Sequence, residues 1–236
     1  MARYVTLTCL IPAYNEAPRI AAVLAAVAGH PAVQAVLVVD DGSTDGTGDV
    51  ARGCGARVLR TAGNLGKTAA LAQALAQVDT THVLLLDADL IGLTAADVTA
   101  LIAPVLAGHA QASLSLRGNA PRTWRLIGVD YISGERVVPM AVFAGQLQAL
   151  TRLPRFGFEV FLNRLLIARG DPVAVVRWPG VASPSKASKR GLWRGLMADL
   201  RMLRDIAGTI SLRDMLRQIV ALRRLSAAGL QAHRGL

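Results

Sequence analysis

Cysteine is scarce in this chain: two in 236 residues, Cys9 and Cys54, far apart, with Cys9 inside an apolar run. That excludes a disulfide-stapled scaffold and a thiolate metal cluster, and it points to a reducing compartment. Long apolar runs are missing as well. No uninterrupted stretch approaches the roughly 18 to 20 residues needed to span a bilayer. The N-terminus passes straight into Val5–Ile11 without a basic segment and a cleavage site, so no secretory signal is expected and the protein reads as cytosolic. Aromatic residues make up only 4% of the chain while alanine is abundant, which suits many helices packed closely on a sheet. Internal repeats and low-complexity segments are absent.

Acidic residues run short at one end. Residues 186–236 hold 11 Lys/Arg against 3 Asp/Glu, and so carry +8 of the net charge of +10. Such asymmetry implies an anionic partner for that end: a membrane surface, a nucleic acid or an anionic substrate.

What the chain does have is a repeated alternation of short apolar runs and helical periodicity. Val5–Ile11 reads as a strand stopped by Pro12, followed by the loop Ala13–Glu16 and a helix from about Ala17 to Ala28, with Val23, Leu24 and Val27 as its apolar stripe. Ala35–Val39 and Val58–Leu59 read as further strands, separated by a turn and helix cap over Asp40–Gly46. Lys67 opens an Ala-rich helix bearing Leu71, Leu75 and Val78. Val83–Leu86 is a strand buried on both faces, and Thr94 opens a helix with Val98, Leu101, Ile102 and Val105 on one side. This predicts an α/β fold, a mainly parallel Rossmann-like sheet with helices on both faces. Beyond residue 110 the pattern loosens. Ala112–Leu116 is a strand, Arg117–Arg136 a polar basic loop, Val137–Leu150 and Phe158–Ala168 helices, and Val173–Trp178 a strand.

In such a sheet, ligands sit beyond the carboxyl ends of the strands. Four polar clusters converge there: 13–16, 40–45, 64–67 and 87–89. The sharpest is Asp87-Ala88-Asp89, two carboxylates turned out at the end of a buried strand. Alone, an Asp pair after a strand is also a common turn or helix cap. In this company it reads as a metal–diphosphate site, since Mg²⁺ is held by one or two carboxylates plus phosphate oxygens and water.

In the tail, Trp193, Leu196, Met197, Leu200, Leu203 and Ile206 recur at helical spacing, and so do Leu212, Met215, Leu216, Ile219 and Leu222, both sets interleaved with arginine. Two basic amphipathic helices broken near Gly208 are expected. They suit peripheral contact with a membrane through residues 190–225, at the inner face of the plasma membrane. The other readings are a helix packed on the domain with a solvated basic face, a homodimer contact, and, as a weaker rival, nucleic-acid binding. The expected division is an α/β domain over 1–185, with halves 1–110 and 111–185, and a helical tail over 186–236.

Four segments in this order, Ile11-Pro12-Ala13-Tyr14-Asn15-Glu16, Val38-Val39-Asp40-Asp41-Gly42-Ser43-Thr44-Asp45-Gly46-Thr47, Asn64-Leu65-Gly66-Lys67 and Leu86-Asp87-Ala88-Asp89, resemble glycosyltransferase family 2. The resemblance is strong over 5–107 and continues through Ser133-Gly134-Glu135-Arg136 and Phe156-Gly157-Phe158-Glu159-Val160. It is closest to the short single-domain members related to polyprenyl-phosphate sugar synthases. It implies a GT-A fold and inverting transfer of a sugar from a UDP- or GDP-sugar, with Mg²⁺ or Mn²⁺ as cofactor. By that resemblance Pro12, Tyr14 and Glu16 line the nucleoside pocket, Asp40 or Asp41 accepts from base or ribose, and Lys67 lies near base or diphosphate. Asp87, Ala88 and Asp89 meet ribose and metal. Glu159 is the candidate base for a hydroxyl acceptor. Ser133, Gly134, Arg136 and Arg117 belong to the acceptor side. If the acceptor is a lipid phosphate, no base is needed, and Arg117, Arg122, Arg125 or Arg136 holds the phosphate. One position departs: Ser183 stands where relatives often carry a metal-binding His, with water or Ser183 itself as substitute and Lys186, Lys189 and Arg190 nearby to offset diphosphate charge.

Three other functions compete. Sugar nucleotidyl transfer prefers a Gly-rich loop after the first strand, which Pro12–Glu16 lacks. Phosphotransfer would use Asp87 as nucleophile. A degenerate membrane-bound scaffold would keep the fold without the activity.

Overall fold

The computed structural model describes residues 4–153, 157–184 and 210–234. Seven strands form one sheet: β1 Leu7–Ala13, β2 Ala35–Asp40, β3 Arg57–Arg60, β4 His82–Leu85, β5 Ala112–Arg117, β6 Arg136–Pro139 and β7 Val173–Trp178. Their order across the sheet is β3-β2-β1-β4-β6-β5-β7. β1 pairs in parallel with β2 and β4, and β5 with β7, while β6 runs antiparallel between β4 and β5. The chain steps outward from β1 to β3, then returns to β4 on the far side of β1. That reversal opens a crevice at the carboxyl ends of β1 and β4, where open α/β sheets bind ligands.

The period-2 alternation of β1 explains the two cores. Leu7, Cys9 and Ile11 face helices α1 (Ala17–Val27) and α4 (Ala95–Leu106), among Ile20, Val23, Leu24, Leu101 and Ile102. Leu10 faces the other way, toward Leu71 and Leu75 of α3 (Lys67–Leu75) and Leu162 and Leu166 of α7 (Gly157–Arg169). Helix α4 starts as its sequence signal says. Thr94 accepts from Asp97 N at 3.2 Å and Asp97 Oδ2 accepts from Thr94 N at 3.0 Å, a complete capping box.

Three expectations need correction. Pro12 does not stop the first strand. It lies opposite Val39 in register, and Ala13 O still accepts from Asp41 N at 2.9 Å, so the missing N–H costs one ladder bond and no more. The stretch 117–136 is not all loop, because α5 (Arg122–Ile127) forms within it, seated by the buried Trp124 and closed by Gly128 at φ 80. Val137–Leu150 is not one helix. Val137 and Val138 are strand residues of β6, followed by a 3₁₀ turn, Met140–Phe143, and the short α6, Leu147–Leu150. β-branched residues fit the pleated, buried position between β4 and β5, and Gly145 at φ 70 interrupts any continuous helix.

Of the two expected tail helices, the first lies outside the described residues. The second is Leu212–Arg234, and Met215, Ile219 and Leu222 join the core of Leu166 and Val173. Gln218 accepts from the Tyr131 hydroxyl at 2.8 Å. Each of these three buried apolar side chains contributes about 1.5–3 kcal/mol, enough to hold this helix to the body. No helix among the described residues is long and apolar enough to cross a membrane.

Candidate active site at the β1–β4 crevice

The loops after β1 and β2 are tied together before any ligand arrives. Asn15 sits at φ 56, a left-handed conformation that asparagine tolerates. Its N–H donates to Ser43 Oγ at 3.0 Å, and its side-chain oxygen accepts from Thr44 N at 2.9 Å. Glu16 N donates to Thr47 Oγ1 at 2.8 Å, and the Glu16 carboxylate pairs with Arg19 at 2.7 Å. Pro12 is fixed in β1, while Tyr14 is 46% exposed and offers a free ring at the rim.

Asp40 and Asp41 take a different part from the one the family resemblance implies. Both are buried, and protein donors engage every carboxylate oxygen. Asp40 accepts from Ser43 N at 2.9 Å and from Arg60 at 3.1 Å. Asp41 accepts from Leu65 N at 2.8 Å, Gly66 N at 2.7 Å and Thr61 Oγ1 at 3.0 Å. They clamp the turn after β2 and the 64–66 loop, rather than presenting acceptors to the crevice. That clamp aims Gly66, at φ 88, so that α3 begins with Lys67 over the site.

Lys67 is the hub. Its ammonium lies 2.8 Å from Asp87 Oδ1, just past β4, and 2.8 Å from Glu159 Oε1, in the first turn of α7. Burial works against the charge on Lys67, but the two carboxylates together outweigh it and hold the lysine above its usual range. Burial likewise works to raise Asp87, and Lys67, with Arg117, overcomes it and holds the carboxyl low. Gly134 packs directly on this carboxylate: a Cβ there would stand 2.5 Å from Asp87 Oδ2.

Asp89 is the contrast. It has no hydrogen bond or ion pair among the described residues, and its pKa is raised by burial and by the negative charges of Asp87 and Glu16. For this half-buried carboxylate the nearby negative charge outweighs the opposing Arg117 and Arg19, and no donor of its own offsets it. The residues therefore fit a hard divalent cation, which Asp89 and Asp87 would hold. No cluster of three His, Cys, Asp or Glu gathers among the described residues, so its remaining ligands would be diphosphate oxygens and water. Ser183 does not stand free for that purpose. Its hydroxyl accepts from Arg117, and its backbone is tied to Asn119 by bonds of 2.7 and 3.3 Å.

Behind Asp87 lies a buried polar network that the sequence reading did not anticipate. Glu135 is fully buried and accepts from Ser115 Oγ at 2.6 Å, Ser133 Oγ at 3.0 Å and Arg117 at 3.3 Å. Burial raises its pKa, with Arg117 opposing. Arg117 also reaches Asp130 at 3.5 Å. Of the expected acceptor-side residues, Ser133 and Arg136 face inward. Arg136 is 1% exposed and donates to Ser133 O at 2.7 Å, Asn163 Oδ1 at 2.5 Å and Tyr131 O at 3.2 Å, so each nitrogen has a protein partner and the group is buried. The network holds Gly134 against Asp87. Its one sequence signal was Glu135, set between two residues already singled out.

Arg117 of that set lines a cavity. About 400 Å³ in size, it is lined by Arg117, Arg125 and Arg177 with Leu116, Gly118 and Pro179. The Arg117 Nε is buried without a partner, and Arg125 and Arg177 have no ion pair among the described residues. Arg177 was missed because β7 reads only as an apolar strand. Its register beside Leu116 of β5 is what brings it here.

Residues 8–141 match the sequence profile described as Glycosyl transferase family 2. Over 157 residues the chain is 32% identical to glycosyltransferase AglJ of Haloferax volcanii, covering 66% of this chain and 42% of that protein. The chain thus spans less than half the length of that relative. Glucosyl-3-phosphoglycerate synthase of Mycobacterium tuberculosis, solved with phosphoglyceric acid, superposes with a TM-score of 0.67 at 22% identity, over 87% of this chain and 80% of that one. The same enzyme with Mn²⁺, UDP and glucosyl-3-phosphoglycerate gives a TM-score of 0.64 at 22% identity over the same shares. Likeness at that identity speaks to the fold, which is GT-A. The profile match covers more than half of the residues, and it falls on the crevice just described: the chain belongs to glycosyl transferase family 2.

Proposed function

We propose that this protein transfers a hexose from a UDP- or GDP-sugar, with inversion, to an acceptor that presents an ionised phosphate, most simply a lipid phosphate. The observation that carries the donor side is Asp89, a carboxylate without a donor beside Asp87 at the topological switch point. A divalent cation bound there would offset the charge accumulating on the leaving nucleoside diphosphate. Mn²⁺ and UDP in the M. tuberculosis enzyme support that choice of ligands. Tyr14 supplies a flat face for the base, and Lys67 a cation near the diphosphate. Residues 1–110 form the donor half and 111–185 the acceptor half.

The acceptor class follows from how Glu159 is held. A general base must be free to take a proton. Here the carboxylate is buried and pinned by Lys67 at 2.8 Å, which suits orienting the ammonium better than leaving it free. A phosphate oxygen needs no base. It attacks the anomeric carbon, forming the new C–O bond as the bond to the nucleoside diphosphate breaks. Arg117, Arg125 and Arg177 offer guanidinium groups for such an anion, in the fork geometry suited to phosphate oxygens. The test is transfer of label from UDP- and GDP-sugars to polyprenyl phosphate, to phosphoglycerate and to a phosphate-free glycan. The product's anomeric configuration is read by NMR. Labelled polyprenyl phosphate with inverted configuration is expected. Transfer to the phosphate-free glycan alone, abolished in Glu159→Gln, would make Glu159 the base and overturn the acceptor assignment.

A further inference from the structure

We infer that the outward face of the C-terminal helix, Leu212–Arg234, docks on an anionic lipid surface. The inference rests on the helix alone and not on the reading of the crevice. One face of this helix is accounted for by Met215, Ile219 and Leu222 in the core. Arg213, Arg217 and Arg224 lie directly opposite those residues, as expected of a solvated side, but the flank between core and arginines is apolar and exposed. Leu212, Leu216 and Val220, four residues apart, are 62%, 54% and 51% exposed. They line a groove of about 900 Å³ together with Arg213, Arg217 and Arg224. A surface helix that shows an apolar stripe on its solvent side has a partner that is itself apolar.

Charge selects the partner. Arg213 and Arg224 have no ion pair among the described residues, and Arg217 meets only the exposed Asp214 at 3.4 Å. Two copies of this face brought together would set six arginines against one another. The chain's own 186–209 segment carries an apolar stripe that could answer the leucines, but with Lys186, Lys189, Arg190, Arg194, Arg201 and Arg204 against Asp199 and Asp205 it would leave the arginines of this face uncompensated. An anionic bilayer satisfies both halves of the face: its headgroups take the guanidinium groups and its acyl boundary takes the leucines. A nucleic acid would answer the arginines and leave the leucines in water.

The experiment is sedimentation of the full chain with vesicles of phosphatidylcholine alone and of phosphatidylcholine with phosphatidylglycerol. Two variants accompany it, Leu212→Ser/Leu216→Ser/Val220→Ser and Arg213→Gln/Arg217→Gln/Arg224→Gln. All six side chains line the open groove, so both variants should keep the wild-type unfolding midpoint, measured alongside. Binding to the anionic vesicles alone is expected, weakened by salt and reduced about tenfold or more in each variant. Equal binding to neutral vesicles, or anionic binding that neither variant weakens, would overturn the proposal. So would a wild-type dimer in analytical ultracentrifugation that the leucine variant dissociates, since the face would then be a contact between copies. Retention of DNA lost only in the arginine variant, without any vesicle binding, would reassign the face to nucleic acid.

Discussion

Lys67 holds two carboxylates that would otherwise repel each other across the crevice. Asp87 arrives from β4 and Glu159 from α7, elements joined to the lysine by nothing else in this site. Lys67→Met removes the ion-pair partner of both and leaves Asp87 with Arg117 as its compensating charge. Because Lys67 itself is partly exposed, the expected loss is about 1–2 kcal/mol of stability rather than the larger cost of breaking a fully buried pair, measurable by urea unfolding. Gly134→Ala acts on the same carboxylate from behind, since its methyl would overlap Asp87 Oδ2 at 2.5 Å. Displacing a cation-holding carboxylate in this way should weaken Mn²⁺–nucleotide affinity by about 10- to 100-fold, read by calorimetry, while the fold survives. Asp89 adds a pH dependence. Burial, Asp87 and Glu16 raise its pKa, so it takes up a proton at a higher pH than an ordinary carboxylate, and only the ionised form holds a cation. Mn²⁺ affinity, followed by electron paramagnetic resonance, should therefore fall with decreasing pH from above the usual carboxylate range, and Asp89→Asn should abolish that dependence. A decline confined to the ordinary range would contradict the geometry.

At the scale of elements, the part of the chain with clean periodicity was legible and the part without was not. Helices α1, α3 and α4 bury the apolar positions that their spacing marks, because each has one sheet face to cover, save Val78, which falls past the end of α3 and is half-buried. β6 escaped because Val137–Leu150 is apolar throughout, so neither period 2 nor period 3.6 stands out. Only its antiparallel place between β4 and β5 decides the matter. The same logic separates the site residues. Asp87, Asp89 and Lys67 were legible as polar groups at strand or loop ends. Asp40, Asp41, Ser133 and Arg136 looked alike in sequence, yet they turn inward, and a one-dimensional pattern does not say which way a loop carboxylate points. The tail helix gives a test of its own. Ile219 is buried against the core of α7 and β7, so Ile219→Ala should cost about 2–4 kcal/mol in thermal or urea unfolding, whereas Leu216→Ala, exposed, should cost little.

The whole molecule is a sheet whose strand order places one crevice, with a charge pattern that complements a substrate anionic at both ends. Carboxylates gather where a cation and a diphosphate are expected. Arginines gather beyond them, around Arg117, where an acceptor phosphate is proposed, and again on the last helix. The measurement that bears most directly on this account is thermal unfolding of the full chain with UDP and with GDP, each with and without Mn²⁺, for the wild type and for Asp89→Asn. A ligand at 100 times its dissociation constant adds about 2.7 kcal/mol, a rise of roughly 5–11 °C for a chain of this size. The account predicts that rise with one nucleotide only when Mn²⁺ is present, and none in Asp89→Asn. A rise of equal size without metal, or one retained in Asp89→Asn, would contradict it.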